Sequence, residues 1–412
     1  ERDPERAKEI REEKKTQKDH ELAECCISWM ESAAKGNVTR AQKLLGFCYL
    51  EGHGVMSNDK TGAAWLARAA KGGDAEAQHT LGLLWQDGRG VAMNRSKAER
   101  CFRMAANAGH PDAQVVMAQV QLGLDAETEG GEPGEEYVGL GRKASEADPE
   151  AAAQWLEQAA AQGSIDAWHN LGVMYAAGVG LEASQGMAVR CWREAASLGH
   201  PYAQFCLGMR YLEGHKVVQS DRKALVWLRR SAKQGVAEAA VWAGKLCYHG
   251  TGAARANATR ALGYFLAAAE AGLAEGQLGA GAILTGVRHP GDGGIYMESD
   301  GYHKGVGLLR DAAAQGNREA FFALVTRQAA GGGEAASDAL RMVEEAAGAG
   351  DADAMLLAAA TLSQGVGGGE PDLEGMARYI KLAAESDHPE ALALQALLQI
   401  APRPPPRPPR QR

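Results

Sequence analysis

Residues 41–73 read AQKLLGFCYLEGHGVMSNDKTGAAWLARAAKGG, and residues 77–109 repeat the pattern as AQHTLGLLWQDGRGVAMNRSKAERCFRMAANAG. Each block sets Ala, Leu-Gly and an aromatic at positions 0, +4, +5 and +8. A glycine-rich turn follows, then a Trp or Cys four residues ahead of an alanine pair. Ala167 to Gly199 and Ala203 to Gly235 are further copies, and the +5 glycine stands at Gly46, Gly82, Gly172, Gly208 and Gly244. Several of these steps are 36 residues. A fixed period of this size marks stacked supersecondary units, each covering the apolar face of its neighbour.

At 100° per residue, positions 0, +4, +5 and +8 fall within roughly 140° of arc, which makes one face of a helix, helix A. Pro111, Pro201 and Pro389, each after a histidine, occupy its first turn, where the missing N–H costs nothing; Asp74, Ser164, Asn317 and Asp351 fill the capping place in other copies. Helix A stops at Gly52, Gly88, Gly178, Gly214 and Gly250. Seven residues before the slot of Trp65 stand Asn58, Asn94, Asp148, Ser184, Ser220, Asn257 and Asp372. All can accept a hydrogen bond from a free first-turn N–H, so they predict the start of a helix B. That helix ends at the alanine pair and a glycine, from Ala69-Ala70 and Gly73 to Ala346-Ala347 and Gly350. The expectation is an all-α chain of about nine to ten helical hairpins.

The Leu-Gly and Tyr of helix A, the turns Gly52-His53-Gly54-Val55 and Gly88-Arg89-Gly90-Val91, and the Trp-Leu-x-x-Ala-Ala end resemble Sel1-like repeats, relatives of the tetratricopeptide repeats. The resemblance spans roughly residues 21–400. Later copies depart from it: Ala118, Val325 and Ala359 replace the +5 glycine, and Leu308 and Met342 replace the Trp. It implies a right-handed α-solenoid superhelix that serves as an adaptor or scaffold in protein complexes. One secreted branch carries a disulfide in each repeat, which the irregular cysteines here do not match.

The 412 residues exceed what one compact core holds, yet a solenoid escapes that limit because each unit packs only on its neighbours. A net charge of -8 argues against nucleic acid as a main partner, since phosphate binding needs a basic surface. No run of apolar residues reaches the length of a membrane span. The cysteines, seven in all, fall mostly where a small apolar residue would pack; they read as free thiols in an intracellular, reducing compartment.

Departures from the period carry the individuality. Three segments flank or end the solenoid of 21–400: a charged arm at 1–20, a Pro/Arg-rich tail at 401–412, and at 389–401 a lone helix A with Leu394 and Leu398 among its apolar residues. The tail holds Arg403, Pro406 and Pro409 at the spacing read by aromatic-lined grooves of SH3-type domains. Two turns between helix A and helix B swell, at 125–150 and 286–304. The first carries Glu132, Glu135 and Glu136 and reads either as a solvated loop or as an acidic docking loop for a basic partner. The second has His289, Asp292, Asp300 and His303 at no metal-ligand spacing.

Phosphate-cradling, nucleophile-elbow and His-Glu-x-x-His patterns are missing. Ser57 to Lys60 and Ser220 to Lys223 fit Ser-x-x-Lys but coincide with the caps of helix B. No catalytic, cofactor or metal residue is predicted. For binding, helix A positions +2, +6 and +9 lie opposite the packing stripe and offer Phe47, His79, His169, Phe205, Met209 and Lys245 to a protein partner. Two functional classes follow: a non-catalytic interaction scaffold or structural subunit of an assembly, and an adaptor or regulatory module for an enzyme or for membrane protein quality control.

Overall fold

The structure is a computed structural model that describes residues 25–123, 148–250, 256–286, 299–331, 333–364, 370–386 and 388–400. The chain divides into two compact units, 1–219 and 220–412. The first contains α1 (25–35), α2 (Thr39–Glu51), α3 (Asp59–Lys71), α4 (Ala75–Asp87), α5 (Arg95–Asn107), α6 (Pro111–Leu122), α7 (Pro149–Ala161), α8 (Ile165–Ala177), α9 (Gln185–Ser197) and α10 (Pro201–Glu213). The second contains α11 (Asp221–Lys233), α12 (Ala237–His249), α13 (Ala258–Glu270), α14 (Ala274–Leu284), α15 (Ser299–Ala314), α16 (Arg318–Gly331), α17 (Gly333–Gly348), α18 (Ala352–Gln364), α19 (Leu373–Glu385) and α20 (Pro389–Ile400). Even-numbered helices are of type A and odd-numbered ones of type B. Among the described residues there is no strand.

Helix limits follow the caps. All seven predicted helix B caps accept a backbone N–H, from Thr61, Lys97, Ala151, Met187, Lys223, Arg260 and Gly375 in turn. Ser220 is therefore a cap, and its Ser-x-x-Lys match is a capping geometry. At the other end of helix A, Gly52, Gly88, Gly178 and Gly214 take the left-handed conformation and donate to a carbonyl four residues back. Gly250 differs, with φ 81° and ψ 156°. Pro149 opens α7 and Ser299 opens α15, so the final residues of both predicted insertions are helical.

Where helix A carries the +5 glycine, it lets A and B approach closely. A Cβ on Gly82 would lie 2.6 Å from the Phe102 ring, and one on Gly172 would lie 2.5 Å from Trp192. The deepest plug is thus the residue after the Trp slot: Leu66, Phe102, Leu156, Trp192, Leu228 and Phe265 are buried. Trp65, Trp155 and Trp227 themselves are half-buried. Helix A also carries a buried glutamine at +1, which the periodicity did not single out. Gln42, Gln78, Gln114 and Gln204 each donate through Nε2 to a carbonyl at the end of the preceding helix B, from Ala34, Ala70, Ala106 and Ala196. Helix ends leave carbonyls without intrahelical partners, and a buried one is costly unless paired. These glutamines tie α2, α4, α6 and α10 to the helix B before each of them, whereas α8 carries Trp168 at that place.

Candidate partner-binding surfaces

Within the first unit the A helices are flanked on several sides. Their 0, +1, +4 and +5 positions are buried in the hairpin and its neighbour, with few exceptions. Of the face expected to be free, +2 and +9 are partly taken: His169 and Leu50 are buried. Position +6 remains open, with Leu83 and Gln119 exposed and Phe47, Val173 and Met209 half-buried. Phe205, at +2 of α10, is half-buried as well. The result is a narrow, largely apolar column along α2, α4, α8 and α10, interrupted by a polar residue on α6.

The histidines at +2 have structural partners. His79 stacks on His110 with ring centroids 4.6 Å apart, and His169 stacks on His200 at 4.4 Å. In each pair the second ring caps the next helix A: the Nδ1 atoms of His110 and His200 accept from Ala113 and Ala203. An accepting Nδ1 carries no proton, so the Nε2 of the neutral ring holds it, and in His200 it faces Asp166 Oδ1 at 3.4 Å. Burial pushes His169 down to about 3, with His200 adding to the shift. Its Nδ1 is buried without a hydrogen-bond partner. His79 is lowered by burial and then by His110, against the pull of Asp112 and Glu76.

A comparable link joins repeats through charge. Lys43 at +2 of α2 reaches Glu76 Oε2 at 2.7 Å and Asp74 Oδ2 at 3.1 Å at the start of α4. In the second unit Lys245 makes the same bond to Glu275 at 2.7 Å and lies over the Trp242 ring. These acids sit in the first turn of helix A, where the helix dipole also favours them. Lys245 is therefore engaged within the chain. Leu392 and Leu394 of α20 are exposed, whereas the side chain of Leu398 lies outside the described residues. So do Glu132, Glu135, Glu136, Arg403, Pro406, Pro409, His289 and Asp292.

Stacked helix pairs with caps that recur from repeat to repeat and close glycine contacts at several A–B crossings define an α-solenoid of the tetratricopeptide-like class. The model of the Sel1 repeat matches residues 39–74, 75–110, 117–164, 165–200, 201–236 and 237–273, and the chain belongs to the Sel1 repeat family. Proteins of this family are in general interaction scaffolds and typically non-catalytic. Among solved structures, c5321, a protective antigen of uropathogenic Escherichia coli strains displaying an SLR fold, is 25% identical; the match covers 90% of this chain and 74% of that one, with a TM-score of 0.71. A Sel1 repeat protein from Oxalobacter formigenes is 28% identical over 71% of this chain and 77% of its own, with a TM-score of 0.53. The chitin synthase regulator SKT5 of Malassezia restricta is 34% identical over 128 residues, 30% of this chain. The match spans 9% of that regulator's length. Among the described residues no helix is long and apolar enough to cross a membrane.

Proposed function

We propose that this chain is a non-catalytic scaffold that holds protein partners along the A helices of its first unit, as a subunit or adaptor of a larger assembly. The observation that carries this is the +6 column, where Leu83 is exposed and Phe47, Val173 and Met209 are half-buried, leaving part of their apolar surface open. Partner anchors concentrate in such sites because a few desolvated apolar contacts supply most binding energy. The acidic balance of the chain disfavours nucleic acid in this role. The seven cysteines, all free, favour a reducing compartment.

A second reading, a regulatory module for an enzyme, is favoured by one specific observation, the similarity of 128 residues to a chitin synthase regulator. The double variant Phe205→Ala/Met209→Ala tests the scaffold reading. Affinity capture with quantitative mass spectrometry is expected to lose specific partners while the circular dichroism of the variant matches the parent. A folded variant that retains every partner, or a parent chain that captures none, would refute it. An enzyme among the captured partners whose rate changes on addition of the chain would select the second reading.

A further inference from the structure

The helix order begins and ends halfway through a hairpin. Among the described residues α1 is a helix B with no helix A before it, and α20 is a helix A with no helix B after it. From α3 to α13 the residues three before and one after the Trp slot are buried, as in α3, where Gly62 lies close to Leu50 of α2 and Leu66 close to Gly46. The same two places in α1 hold Cys26, which is exposed, and Met30, which is half-buried. Trp29, in the slot itself, is 70% exposed, whereas Trp65 is half-buried in a cluster with Leu45 of its own helix A. The face of α1 that would meet a helix A is therefore open. At the other end α20 packs on α19 through Ala391, its position 0. Position +4 is buried in every other helix A, from Leu45 in α2 to Ala358 in α18, but Gln395 of α20 is only half-buried. Position +1 elsewhere reaches the following helix B, as Gln114 does at Gln158 and Gln277 at Gln315. In α20 it is Leu392, 45% exposed.

We propose that α20 of one copy of this chain docks on α1 of another, as helix A on helix B, so that two half-hairpins complete one repeat and copies join head to tail. The joint uses the end helices and does not depend on the +6 column. It continues an interface that the chain already makes within its own hairpins: Gln395 at +4 would stand against Trp29 as Leu45 stands against Trp65. Met30 holds the plug position, and +5 of α20 is an alanine, as it is in α6, where Ala118 packs with the plug Leu156. The neighbouring segments of the chain are poor occupants of these faces. One period before Ala41, Leu45, Gly46 and Tyr49 stand Glu5, Glu9, Ile10 and Glu13, which set carboxylates where a helix A needs its apolar stripe. After α20, six of the residues 401–412 are proline, which lacks the N–H that a helix B needs and clashes with its preceding turn. The two end faces differ, so the contact is heterologous. Each copy added leaves one face of either kind free, and open chains lengthen with concentration.

The test is sedimentation velocity of the whole chain over roughly a hundredfold range of concentration. A reductant is present so that the exposed Cys25 and Cys26 do not cross-link. The mean mass of the parent is expected to rise from monomer to dimer and longer species. Trp29→Glu and Leu392→Glu each place a charge on one end face and should hold the chain monomeric, with circular dichroism unchanged because both side chains are exposed. Mixed in equal amounts, the two variants should form dimers and nothing longer, since each retains the face that the other lacks. Where a glutamate variant unfolds, Trp29→Ser or Leu392→Ser takes its place, with weakened association expected. A parent that stays monomeric throughout would overturn the proposal and leave the end faces to another protein or to residues 1–24 and 401–412. Folded variants that associate as the parent does, or a mixture that forms no dimer, would overturn it as well. Assembly lost in Trp29→Glu but intact in Leu392→Glu would reveal a symmetric contact between two α1 helices and refute the head-to-tail joint.

Discussion

Acidification should loosen the joint between the fourth and fifth repeats, and His169 sets the scale. The residue is 9% exposed, its Nδ1 has no hydrogen-bond partner, and the ring of His200 stacks on it with centroids 4.4 Å apart. The folded chain thus holds the neutral ring, down to about 3, while the unfolded ring titrates near the usual histidine value of 6.5. Because the folded pKa is the lower one, the unfolded state binds more protons between these values. Stability is therefore fully present above 6.5 and is lost as pH falls through it. At pH 5 the unfolding constant should rise about 30-fold from this residue alone, or about 2 kcal/mol. His79 and His200, also lowered by burial, add in the same direction. Protonation of His200 at Nδ1 would also remove the acceptor that caps α10. The assay is urea unfolding from pH 8 to pH 5 with hydrogen exchange at the α8 and α10 amides, since a repeat array can open locally. Phe205 occupies the equivalent +2 position in α10, so His169→Phe should fold and flatten the pH dependence. Equal acid sensitivity in that variant and in the parent would refute the argument.

The remaining predictions concern stability and are read by urea midpoint at neutral pH. Gly172→Ala brings a Cβ within 2.5 Å of the Trp192 ring and should cost about 1–3 kcal/mol with a change in tryptophan fluorescence; an unchanged midpoint would show that α8 and α9 can separate freely. Asn94→Ala should cost about 1 kcal/mol through loss of the bond from Lys97, whereas Asn94→Asp should be tolerated. Gln114→Leu removes the donor to Ala106 and the acceptor that Gln162 uses, and a loss of about 1–3 kcal/mol is expected. Lys43→Ala should cost under about 1 kcal/mol and less in high salt, as its carboxylate partners are partly solvated.

Much of the fold is legible in the sequence because its signals are local. Caps act over three residues and helix-ending glycines within one turn, so Asn58, Ser184 or Gly88 can be recognised without knowing any distant neighbour. The +6 column was legible in part, since Phe47 and Met209 follow from helical periodicity alone. Periodicity puts His79 and His169 on the same free face, but their stacking depends on the cap of the next helix A, 31 positions onward, and on the pairing of helices in space. The glutamine bonds were equally invisible: Gln114 finds Ala106 only when one hairpin closes on the next.

The sequence by itself determined that this chain is a stack of Sel1 hairpins, because a 36-residue period with caps at fixed places allows each unit to bury its apolar face only on its neighbour. Tertiary structure alone decided which residues of that period remain free. Position +2 of helix A shows why: His169 is buried there, whereas His79 and Phe205 at the same place in their repeats are half-buried. Volume is shared among side chains from several helices, and only their packing reveals where it is left over.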